Sequence, residues 1–132
     1  MGLLAGCQTT TALVAGQQTN TADTALIGAL NGGLIGQLNA VSLDGSGTRQ
    51  ALVSEYRALE YAAPGDLVTW QLPQQSLSGQ VVASQPYRVG SQDCRQYTHQ
   101  VFNVALPAAT SAPATARGTA CRNPDGSWTL LT

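Results

Sequence analysis

From Leu67 onward the chain alternates runs of β-branched and aromatic residues with turn-forming clusters, and Cys94 and Cys121 stand in two of those runs. Segments 67–72, 79–89, 93–106, 115–122 and 127–131 are rich in Val, Tyr, Thr and Trp and read as strands. Gly90-Ser91 and Asn123-Pro124-Asp125-Gly126 are turn signals between consecutive runs, so an antiparallel meander is the simplest topology. The two cysteines test it. If Cys94 faces Cys121 across a hairpin, the turn centres between Pro107 and Ala108, inside a Pro- and Ala-rich stretch, 105–113, that makes a poor strand. Register and composition agree. Such a disulfide contributes about 3 kcal/mol by constraining the unfolded chain, and it implies an oxidising compartment.

A small antiparallel sheet needs cover. Leu52, Tyr56, Leu59 and Ala63 are spaced to give one apolar stripe on a helix over 49–63, with Thr48 as N-cap and Pro64-Gly65 as the stop. At 132 residues and 43% hydrophobic, the chain can bury one modest core. The expected fold is α+β, with one helix packed on a small β-meander over 48–132, a unit that folds alone.

Upstream, Gly28, Gly32 and Gly36 recur every fourth residue within 25–47. On a helix they form a bare stripe that a second helix can approach closely, so a glycine-zipper helix is expected, packing on a copy of itself or lying near lipid. Asn31, Gln37 and Asn39 interrupt the segment, and its apolar run falls short of the about 18–20 residues that span a bilayer. Before it, 9–24 is rich in Thr, Gln and Ala without a period and suits a polar tether. Leu4-Ala5-Gly6-Cys7 resembles the bacterial lipobox, in which a peptidase cuts before a cysteine whose sulfur carries diacylglycerol. Cys7 is thus the candidate lipidation site, which leaves one pair of cysteines for a disulfide. Only six residues precede Cys7, fewer than the apolar stretch of about 7–15 in a secretory signal. Segment 1–24 therefore reads as a truncated signal and tether, with either a start upstream of Met1 or residues trimmed ahead of it expected for export.

Charge and motif content exclude several functions. The six basic residues, Arg49, Arg57, Arg88, Arg95, Arg117 and Arg122, are scattered among seven acids, which gives a net charge of -1 and no basic surface for nucleic acid. His99, the only histidine, shares a strand face with Tyr97 and Val101 and lies five positions from Cys94, hence on the opposite face. No Ser-His-Asp order, acid pair or metal-ligand spacing is present, so no catalytic residue, metal site or cofactor is assigned. Trp70, Trp128 and Tyr97 are expected in the core rather than as a binding platform, and the loop over 108–116 is the best candidate for presentation to a partner.

Three stretches carry a resemblance: "RALEYAAPGDLVTWQ" from Arg57, "SGQVVASQPYRVGSQDCRQY" from Ser78 and "GTACRNPDGSW" from Gly118. Together they resemble the C-terminal domain of the rickettsial-type seventeen-kilodalton surface antigen lipoproteins, with two Cys-Arg pairs and the Asp-Gly-Ser-Trp turn in the same order. The resemblance implies a non-catalytic outer-membrane lipoprotein, lipid-anchored at Cys7 and exposed to the periplasm or at the surface. Its partners would be the membrane itself and a second copy or another envelope protein. The alternative is a periplasmic binding or inhibitor module acting on an envelope hydrolase or a small ligand. The single glycine run departs from the two-helix repeat frequent in the family.

Overall fold

The computed structural model describes residues 24–106 and 112–131. Its main helix, α1, spans Gly45–Glu60 and starts earlier than expected because Asp44, not Thr48, is the N-cap: the Asp44 carboxylate accepts a hydrogen bond from the Gly47 N–H at 2.7 Å. The helix stops at Glu60, so Ala63 lies beyond it and is exposed rather than part of the buried stripe.

Six strands form one antiparallel sheet: β1 (Leu67–Leu72), β2 (Leu77–Ala83), β3 (Tyr87–Val89), β4 (Gln92–Asn103), β5 (Ala114–Arg122) and β6 (Trp128–Leu131). The order is β1-β2-β4-β5-β6, and β3 also pairs with β4. The expected strand over 79–89 is split. β2 pairs with β4 up to Ala83 opposite Tyr97, and β3 resumes alongside β4 at Tyr87 opposite Cys94. The interruption contains Pro86, which has no N–H to give the ladder. The path is otherwise the meander expected. Cys94 lies opposite Cys121, the two sulfurs are bonded, and the same register carries through to Val101 opposite Ala114.

One face of the sheet carries Trp70, Val81, Ala83, Tyr97, His99, Val101, Ala116, Ala120 and Trp128, all buried. A helix is about 10 Å wide and strands are spaced about 4.8 Å apart, so a single helix covers about two strands. α1 lies over β1 and β2, with fewer contacts to β4. The rest of that same face, over β5 and β6, is closed by the segment expected to be a glycine-zipper helix. That segment is not a continuous helix: it folds into two short 3-10 turns, Gly28–Leu30 and Ile35–Gln37, separated by left-handed backbone at Asn31, Gly32 and Gly33. Ile27, Leu30, Leu34, Ile35 and Leu38 are buried in the same core as α1, with the first turn against β6 and Leu34 packed over Gly118 of β5.

Gly28, Gly32 and Gly36 are therefore not a helix-packing stripe within this fold. All three are exposed, and a Cβ at any of them would meet nothing within 4 Å. The physical reason is that the core claims the apolar residues between the glycines, and the backbone reverses to deliver them. Segments 25–47 and 48–132 share one core instead of forming separate units.

Candidate functional site

At the centre of that core is a carboxylate. Glu55 falls on the apolar stripe of α1, three residues after Leu52 and four before Leu59, and it is fully buried. Its Oε1 accepts hydrogen bonds from the Leu34 N–H at 3.0 Å and the Tyr97 hydroxyl at 2.7 Å. Its Oε2 accepts from the Ile35 N–H at 2.8 Å and faces His99 Nδ1 at 2.7 Å. The Trp70 indole N–H in turn donates to His99 Nε2 at 2.9 Å.

An indole can only donate, so His99 Nε2 must be the accepting nitrogen and Nδ1 must carry the proton that goes to Glu55. The imidazole is fixed in one tautomer, with both nitrogens engaged. Burial pushes the Tyr97 hydroxyl well above the usual phenol range, and the neighbouring Glu55 charge adds to this, so the phenol stays a donor.

Two glycines make the approach possible. Gly33 adopts φ +60°, and a Cβ there would lie 2.5 Å from Glu55 Oε1, so a side chain would block the carboxylate from reaching the two N–H groups that follow. At Gly79 a Cβ would fall 2.1 Å from the Trp70 ring, which therefore lies flat on the β2 backbone.

A second cluster ties the end of α1 to the sheet. Glu60 accepts from Arg122 at 2.9 and 3.2 Å and from the Trp128 indole at 2.9 Å. Although burial opposes ionisation, these bonds hold the Glu60 carboxyl below its usual range. Arg95, also buried, donates to the carbonyls of Ala58, Leu59 and Ala62 at 2.9–3.1 Å and so caps the C-terminus of α1.

Apart from the buried Cys94–Cys121 disulfide, the opposite face of the sheet is exposed or half-exposed to solvent. Across it run the rows Thr69, Gln80, Gln100, Thr115; then Leu67, Val82, Thr98, Arg117; then Ser84, Gln96, Thr119, Leu131. The Gln80 amide donates to Gln100 at 2.8 Å. A groove of about 730 Å³ lies over the second and third rows, and Arg117 is its only ionisable lining residue besides the inward-facing Tyr97.

Of the residues singled out from sequence, Cys94 and Cys121 are bonded, and Trp70, Trp128 and Tyr97 are core residues. His99, Tyr97 and Val101 share the inner face, but His99 is bound to Glu55 and Trp70, partners that sequence reasoning missed. The available signal was a lone acid on an apolar stripe opposite the only histidine. Cys7 and residues 108–111 of the candidate loop lie outside the described residues, and residues 114–116 of that loop belong to β5 instead. Among the described residues no cluster of three or more His, Cys, Asp or Glu is placed to hold a metal, and no helix is long and apolar enough to cross a membrane.

The family model described as 17 kDa outer membrane surface antigen matches residues 57–129. A 17 kDa surface antigen of Rickettsia bellii is 34% identical over 124 aligned positions, covering 81% of this chain and 74% of the relative. Its counterpart in Rickettsia conorii is 35% identical over 90 positions, covering 67% and 53% respectively. The Rickettsia prowazekii protein of the same name is 34% identical over 80 positions, covering 60% of this chain and 46% of the relative. No solved structure matches the chain.

Proposed function

Because this chain belongs to the 17 kDa surface antigen family, we propose that it is a non-catalytic lipoprotein of the outer membrane with a structural or protein-interaction role in the cell envelope. Lipid on Cys7 is the anchor, and the folded domain stands off the membrane on the polar segment that follows. The family match over 57–129, which takes in the end of α1 and nearly all of the sheet, carries this reading. The state of His99 supports it: with one nitrogen donating to Glu55 and the other accepting from Trp70, the imidazole has no free position for a substrate proton. Partners are the membrane and a second copy or another envelope protein.

The test is fractionation of cells in which the protein is exported. Wild-type protein is expected in the outer-membrane fraction with lipid on Cys7, and Cys7→Ser is expected to be released. Protein that stays bound unchanged after Cys7→Ser overturns the anchor. The second reading, a periplasmic binding or inhibitor module, draws support from the solvent-facing groove on the sheet. Pull-down from detergent-solubilised membranes separates the two: a stoichiometric envelope complex supports the first, and a soluble hydrolase supports the second.

A further inference from the structure

The groove on the outer face of the sheet does not resemble the centre of a protein interface. Such centres are built on exposed aromatic anchors, whereas this groove sets Gln96, Thr98, Thr119 and Arg117 beside the small aliphatic Val82 and Pro64. The one aromatic residue in its lining, Tyr97, is only 2% exposed and turns its hydroxyl to Glu55. Its volume of about 730 Å³ suits a small ligand or a few units of a chain.

The side chains of Gln96, Thr98, Thr119 and Arg117 make no hydrogen bond to any described residue, in contrast to the Gln80 and Gln100 pair in the neighbouring row. The groove thus holds unspent donors and acceptors side by side. An amide or a hydroxyl offers both roles, which is what a sugar hydroxyl, itself donor and acceptor, requires. Arg117 adds a single positive charge with no acid in the groove lining to offset it. One guanidinium matches a monoanion and pairs a carboxylate through two parallel bonds. A phosphate monoester carries nearly twice that charge, and the groove has no second cation for it.

We propose that this groove binds a carboxylated glycan, with Arg117 on the carboxylate and Gln96, Thr98 and Thr119 on the hydroxyls of adjoining sugars. The inference rests on the second reading above, a periplasmic binding module for a small ligand, and gives that ligand a chemical class.

The test is calorimetric titration of the oxidised full chain with a galacturonate oligosaccharide. A neutral malto-oligosaccharide, a phosphorylated sugar and a glutamate oligopeptide of similar length are titrated in parallel. Galacturonate is expected to bind saturably, and Arg117→Gln to weaken it about 10- to 100-fold, the range for loss of a charge-assisted hydrogen bond. Thr98→Val, which keeps the side-chain shape, is expected to weaken it several-fold, and Arg117→Gln to leave the malto-oligosaccharide signal unchanged. Both positions are on the solvent side of the sheet, and equal thermal unfolding of the variants checks that the fold is intact. Absence of saturable galacturonate binding overturns the proposal, as does indifference to Arg117→Gln. Tighter binding of the phosphorylated sugar overturns the choice of carboxylate, and equal or tighter binding of the glutamate peptide reassigns the groove to a protein partner. The titration is done in solution, so failure of the lipid anchor appears only in the fractionation of Cys7→Ser and leaves this result untouched.

Discussion

Glu55 accepts hydrogen bonds on both oxygens while fully buried, so its charge is held by geometry rather than by a cation. Glu55→Gln keeps the shape but replaces one acceptor oxygen with an amide nitrogen that donates. Two of the surrounding donors then lose their acceptor. Breaking such a buried cluster costs about 3–5 kcal/mol, and urea unfolding of the variant should show a loss of that size. A loss below about 1 kcal/mol would mean the network is not coupled to stability. Tyr97 sets a second test, with a sign fixed by linkage. Its folded-state ionisation is raised, so the unfolded chain loses the phenolic proton first, near the ordinary value of 10.0. The contribution is complete below that pH and declines as pH rises above it. Stability should fall with alkaline pH in the wild type and fall less steeply in Tyr97→Phe, as measured by unfolding at a series of pH values.

At the scale of elements, the segment over 28–37 shows how spacing can mislead. Gly28, Gly32 and Gly36 have the period of a helical stripe, yet the fold uses Gly32 only for its left-handed backbone, and the glycine whose missing side chain the core needs is Gly33, outside that period. Gly33→Ala meets a left-handed backbone and a contact at 2.5 Å with the Glu55 carboxylate, and it should cost more than about 2 kcal/mol. Gly36→Ala meets nothing within 4 Å at an exposed position with ordinary backbone, so its effect should stay within about 0.5 kcal/mol. Chemical denaturation of the two variants side by side makes the comparison. Equal costs would return weight to a packing stripe.

For the whole molecule, the question is where the folding unit begins. The inner face of a sheet this wide is roofed by α1 over one half and by residues 27–38 over the other. Fully burying a leucine is worth about 1.5–3 kcal/mol, and Leu30 and Leu34 are both essentially inaccessible. A chain starting at Thr48 would forfeit these, the Asp44 cap and two of the donors to Glu55, against a typical total stability of about 5–15 kcal/mol. It is expected to lack a cooperative thermal transition under oxidising conditions, while a chain starting at Thr24 keeps one. Cooperative unfolding of the shorter chain would show that the N-terminal roof is dispensable.

The sequence by itself determined what depends on neighbours along the chain. Alternation and turn residues located the strands and the meander. The hairpin register linked Cys94 to Cys121, and the Leu52, Tyr56 and Leu59 spacing defined the buried face of the helix. The β1 bounds match residue for residue, because Gly65 and Pro73 punctuate that strand on both sides. Only the tertiary structure decided the rest, since it depends on groups far apart in sequence. The sheet needed a second cover, and that need broke an apparent helix into two turns. A carboxylate that reads as a misplaced charge on a stripe became the acceptor for Leu34, Ile35, Tyr97 and His99, brought to it from 20 to 44 residues away. Periodicity reports which face of an element is apolar. It cannot report which donors, from other elements, will make a buried charge affordable.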